Sequence, residues 1–174
     1  MEIKTETSVE RMPNPALYTK EQRIKRDASV WTLVQGVLAP VQFLIFLISL
    51  ALVLRFLATG EGQSMALFSV VVKTIALYII MLTGCIWEKV VFDCYLFAPA
   101  FYWEDVFSML VLALHTAYLV ALFNNLLSAQ QLMLLALAAY AAYVVNAGQF
   151  IWKLRQARLG QPKLTTTARH EVAA

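Results

Sequence analysis

VFSMLVLALHTAYLVALFNNLLSAQQLMLLALAAYAAYVVNAGQFIW, residues 106–152, holds no Asp, Glu, Lys or Arg. A helix needs about 20 apolar residues to cross the hydrocarbon core of a bilayer. The run is long enough for two crossings, and its middle, Asn124 to Gln130, reads as a short neutral turn. Working back along the chain, residues 66–92 carry no charge apart from Lys73, Glu88 and Lys89, and Ala28 to Leu54 is again free of charge. The 174 residues are 60% hydrophobic and 14% charged, with a mean hydropathy of +0.66. A soluble domain of this size carries far more charge. The class is an all-α membrane protein, a four-helix transmembrane bundle.

The expected spans cover about 32–57, 66–92, 103–123 and 131–153 within a membrane domain 28–153. Pro40 is a candidate kink, and the glycines of Thr59-Gly60-Glu61-Gly62-Gln63-Ser64 mark a turn. Residues 1–27 form a polar, basic tail in which Ala16 to Asp27 suits an interfacial helix, and 154–174 form a second basic, polar tail. No short apolar stretch follows Lys4, so no secretory signal peptide is expected. Lys20, Arg23, Lys25 and Arg26 precede the first span, and Lys153, Arg155, Arg158 and Lys163 follow the last. The two turns opposite carry no Lys or Arg, so both termini and the hinge from Glu88 to Asp105 are expected in the cytosol. Trp31, Trp87, Trp103 and Trp152 fall on that same side as an aromatic belt. The net charge of +3 sits mostly in the tails and reads as membrane orientation, with no nucleic-acid partner. Cys85 and Cys94 lack metal or redox spacing and read as reduced apolar fillers.

The chemistry-bearing residues gather around that hinge. Trp87-Glu88-Lys89 and Trp103-Glu104-Asp105 are near-copies on either side of it. Ionisable groups in or beside membrane helices are costly, which makes them functional candidates. Glu104, Ser108, Val111, His115 and Tyr118 are spaced as one helical stripe. His115 lies about 16 Å deeper than Glu104, and Lys73 about 22 Å from Glu88 along its helix. Antiparallel packing brings Glu88 and Glu104 together near the cytosolic interface and leaves Lys73 and His115 nearer the other leaflet. Gln35 and Gln42 share a face of the first span, and Asn146 and Gln149 one of the fourth. Blander readings stand beside these. The acids are solvated helix ends or dipole partners, His115 is a satisfied core histidine, Lys73 and Arg55 snorkel, and the amides are interhelical glue. No glycine-rich phosphate loop occurs, and no His and Cys cluster suits haem, iron–sulfur or catalytic zinc. An enzyme of this composition is expected to need proton transfer alone, on a lipophilic substrate.

WEKVVF (87–92), LFAPAF (96–101), WEDV (103–106) and LALHTAYL (112–119) are specific in combination. With the apolar runs around them, they resemble the membrane-bound 3-vinyl bacteriochlorophyllide hydratases of bacteriochlorophyll biosynthesis. The likeness is detailed from Tyr18 to Phe123 and extends in character over the fourth span. The first seventeen residues and the tail beyond Arg158 carry none of it. The resemblance implies addition of water across the C3 vinyl group of chlorophyllide a or 3-vinyl bacteriochlorophyllide, giving a 1-hydroxyethyl group. It implies a magnesium chlorin or bacteriochlorin substrate in a bacterial inner, intracytoplasmic membrane, with the bilayer as surroundings. Other pathway enzymes or a second copy of the chain are further partners. No cofactor is expected, the magnesium being part of the substrate, and no metal site of the protein's own.

Hydration of a vinyl group sets its own demands. An acid protonates the terminal carbon, the macrocycle stabilises the cation at the inner carbon, and a base takes a proton from the attacking water. Glu88 and Glu104 are the expected acid–base pair, with Asp105 as the second choice. Two carboxyls held close disfavour double ionisation, so one keeps a proton. The substrate-binding candidates are His115, Lys89, Ser108, Tyr118 and Asn146. His115 either orients the ring or ligates the substrate magnesium axially, and Lys89 or a basic tail residue pairs with the propionate carboxylate. The macrocycle spans something like the separation of Glu104 and His115. Two other classes compete: a pigment-holding or photosynthetic-complex assembly protein relying on His115 alone, and a small transporter or proton channel. The latter lacks a continuous polar path.

Overall fold

The computed structural model describes residues 17–159, with side chains as far as Gln156. Residues 1–16 and 160–174, including the tail lysine Lys163, lie outside the described residues. Among the described residues there are five helices and no strand: α1 (Lys20–Ala28), α2 (Val30–Thr59), α3 (Gln63–Phe92), α4 (Tyr102–Phe123) and α5 (Ala129–Leu159). The last four are long and apolar enough to cross a membrane. At 1.5 Å per residue, the 30 residues of α3 reach about 45 Å, more than the bilayer core requires.

Local chemistry sets the ends. Thr19 begins α1 with a capping box, its hydroxyl accepting from the Gln22 amide at 3.2 Å while the Gln22 side chain accepts from the Thr19 amide at 2.9 Å. Ser29 caps α2 by accepting from the Trp31 amide. α2 runs unbroken through Pro40 and stops at Gly60, whose φ of 75° suits a residue without Cβ. α5 continues past the apolar run into the basic segment, ending at Leu159.

The chain folds as two hairpins. α2 packs mainly on α3, α4 packs mainly on α5, and the two pairs meet along thinner seams. The shared core contains Phe46, Val53, Val70, Leu77, Val111 and Met133. Outward faces carry Phe43, Leu44, Ile48, Leu82, Leu110 and Val145, all exposed, as lipid-facing surface requires. Phe46 meets Tyr140 edge-on at 5.3 Å, joining the first helix of one hairpin to the last of the other.

A second apolar cluster seals the end of the bundle that carries α1 and the hinge between α3 and α4. Tyr18 stacks on Phe92 at 5.7 Å, Trp87 meets Phe101 at the same distance, and Phe101 stacks on Phe150 at 5.9 Å. The Trp87 indole N–H donates to the Thr32 hydroxyl, which donates to the Arg26 carbonyl. Lys25 pairs with Asp93 at 3.3 Å, so α1 is tied to the end of α3.

Candidate active site

The hinge connects two helices whose facing ends both carry acids. Asp93 ends α3 at φ 63°, and Phe97 turns at φ 61°. That second turn aims two successive amides at the bundle. Phe97 N–H donates to Asp105 Oδ2 at 2.7 Å, and Ala98 N–H donates to Glu88 Oε2 at 3.4 Å. The two amides are successive along the hinge, so the carboxyls they hold are neighbours. Asp105 sits in the first turn of α4, where backbone dipoles favour an acid. Both side chains are buried.

Glu104 takes a different partner. Lys153 of α5 reaches its Oε2 at 2.6 Å, and the same ammonium lies 5.1 Å from the centre of the Phe101 ring. Sequence spacing pointed to Glu88 with Glu104; the fold sets Asp105 against Glu88 and gives Glu104 a lysine. A helix turns 100° per residue, so Glu104 and Asp105 face different neighbours although they are adjacent in sequence. Beside Glu104 lies a cleft of about 300 Å³ lined by Glu104, Gly148, Gln149, Trp152, Lys153 and Gln156.

Ser108 accepts from the Asn146 side-chain amide at 2.9 Å, linking α4 to α5 one turn deeper. Lys89 is exposed and donates to the Asp93 carbonyl at 2.8 Å, so it caps its own helix and faces outward. Cys94 lies in the hinge. Burial pushes its thiol up, and the charges of Glu88 and Asp105 act in the same direction, so it is a poor nucleophile.

A second group of polar side chains sits deeper, drawn from all four long helices. Lys73, His115 and Tyr118 are wholly buried. The His115 Nδ1 lies 2.8 Å from the Val111 carbonyl, which can only accept, so Nδ1 carries the proton and Nε2 presents a lone pair. That Nε2, the Lys73 ammonium and the Tyr118 hydroxyl meet no hydrogen-bond partner among the described residues, and neither does the Gln42 amide nitrogen. Lys73 rests 3.8 Å over the Tyr143 ring, and the His115 ring stands 5.9 Å from Tyr140. Ser49 contacts the Tyr140 hydroxyl at 2.6 Å and the Ser69 hydroxyl at 2.7 Å. Sequence reading passed over Ser49, Ser69 and the Lys153 to Glu104 pair. Lys153 carried a signal, as the first charge after the last span; a serine in an apolar helix carries none.

A family model described as 2-vinyl bacteriochlorophyllide hydratase matches residues 18–156. The chain belongs to that family. A 2-vinyl bacteriochlorophyllide hydratase of Cereibacter sphaeroides is 67% identical over 147 residues, covering 84% of this chain and 91% of that protein. One of Rhodobacter capsulatus is 67% identical over 144 residues, covering 83% of this chain and 84% of that protein. No solved structure matches. The family is the one that WEKVVF, LFAPAF, WEDV and LALHTAYL point to.

Proposed function

We propose that this chain is a membrane hydratase that adds water across the vinyl group of a bacteriochlorophyllide-type magnesium chlorin, with the carboxyls at its helical hinge as the acid–base machinery. The observation that carries the assignment of roles is the Glu88 and Asp105 pair, both buried and each fixed by one of two successive hinge amides. Two carboxyls held this close disfavour double ionisation, so one keeps a proton. That proton goes to the terminal vinyl carbon, and the cation left on the inner carbon is spread over the macrocycle. Water attacks that carbon, and Glu104 accepts the proton it releases. Return of the proton from Glu104 to the Glu88 and Asp105 pair completes the cycle, so the net change is one water gained. Acid and base each contribute about 10²–10⁴-fold when positioned this way. The chain's own residues suffice for these steps, with the magnesium entering as part of the substrate.

Ser108 and Asn146, joined across α4 and α5, form the floor behind Glu104. His115 and Tyr118 lie about 15 Å deeper than Asp105 or more, measured along α4, in the buried core of the bundle. The same reading sets both termini and the hinge at the cytosolic face of a bacterial inner, intracytoplasmic membrane. Pathway enzymes that supply and remove the pigment approach from that side, and lipid covers the outward leucines and phenylalanines.

The test is direct. Membranes containing the protein are incubated with chlorophyllide a in ordinary and ¹⁸O-labelled water, and pigments are resolved by mass spectrometry. Gain of one labelled water establishes the reaction. Pigment that stays unchanged while bound returns the protein to a pigment-holding role.

A further inference from the structure

The Glu104 and Lys153 ion pair is lopsided. The lysine side chain is 25% exposed and the glutamate 9%. Anything lying in the cleft between α4 and α5 therefore meets the ammonium first. Lysine offers three donors, and Glu104 is its one hydrogen-bond acceptor among the described residues. The walls suit a flat apolar body with one polar corner. Gly148 has open space where a Cβ would stand, so a ring can approach the backbone of α5. Trp152, exposed by two thirds, offers an aromatic face. The buried Gln149 Oε1 has no partner among the described residues.

We propose that Lys153 is the receptor for the substrate's carboxylate, and that the incoming carboxylate takes Lys153 from Glu104, so that binding itself frees Glu104 to accept the proton from water. This rests on the hydratase reading above and names the group that holds the substrate's charged arm. The exchange replaces one carboxylate with another on the same ammonium, so no ion pair is lost. Two other lysines fit the role less well. Lys89 points outward and is occupied by the Asp93 carbonyl, and Lys73 is sealed inside the bundle. Lys153 also keeps the charged arm at the membrane edge, where a carboxylate stays partly hydrated, while the apolar remainder of the ring faces the helices.

Chlorophyllide a and its methyl ester differ by that one charge. Binding of each to the purified full-length protein in detergent is followed by the shift in pigment absorption. The wild type is expected to bind the acid about tenfold more tightly than the ester, the scale of one hydrogen bond between charged groups. Lys153→Met should bring the acid down to the level of the ester without moving the ester, and Lys153→Arg should restore most of the preference. Glu104→Gln removes the internal competitor and should bind the acid more tightly than the wild type does, again with the ester unmoved. A wild type that binds acid and ester alike overturns the proposal, and so does a Lys153→Met protein that keeps the preference. The readout is binding, so it is independent of turnover. Acid preference lost in Lys153→Met, with no labelled product from the wild type, would sink the hydratase reading and leave the carboxylate receptor standing.

Discussion

Phe97 turns through φ 61°, a conformation that a bulky side chain rarely adopts. Strain of this kind costs on the order of 1–3 kcal/mol and survives where the surroundings enforce it. Here it points the Phe97 amide at Asp105 and the next amide at Glu88. Substituting Asp105 by Asn keeps an oxygen that accepts from Phe97 but removes the acid proton. Asp105→Asn and Glu88→Gln should therefore insert and fold as the wild type does, by circular dichroism, while turnover falls by about 10²–10⁴-fold. Full turnover in either variant would remove that residue from the mechanism. Glu88, Glu104 and Asp105 were legible in the WEK and WED echo, because charge beside an apolar run is conspicuous. Which acid meets which was not. That depends on the rotation of α4 about its axis and on the path of a hinge whose turning residue is a phenylalanine, not a glycine.

The long helices were legible because uncharged runs of such length have few alternatives, and alternation across the membrane follows from their number. Their mutual contacts were less so. Helical periodicity says that Ser49 and Tyr140 face inward and is silent on whether they face each other, yet their hydroxyls meet at 2.6 Å across α2 and α5. Tyr140→Phe deletes that bond and should lower stability by about 1 kcal/mol, read as a drop in Tm of the detergent-solubilised protein. Lys73 on α3 predicts the opposite sign. Its ammonium is wholly buried over the Tyr143 ring with no acceptor among the described residues. A charge at the centre of a membrane helix costs roughly 2.5–3.5 kcal/mol on insertion scales. Lys73→Met, of similar length and apolar, should raise Tm, and a fall instead would show that the ammonium has found a counter-ion inside the bundle.

At the scale of the whole molecule, the first question is which end of the bundle faces the cytosol. Cys94 lies in the hinge, so it reports on that end without any tag. In a Cys85→Ser background, a membrane-impermeant maleimide applied at alkaline pH should label Cys94 in inverted vesicles and spare it in intact spheroplasts. With Cys94 also replaced by serine, Ser64→Cys should show the reverse, and a hinge labelled from outside would invert the topology. The division into two hairpins then bears on how the protein is made. Each hairpin holds its own partner helix closely, so each can enter the membrane as it leaves the ribosome. Glu88 belongs to the first and Asp105 to the second. Neither half holds both carboxyls, so the pair proposed as the acid exists only once the two hairpins dock.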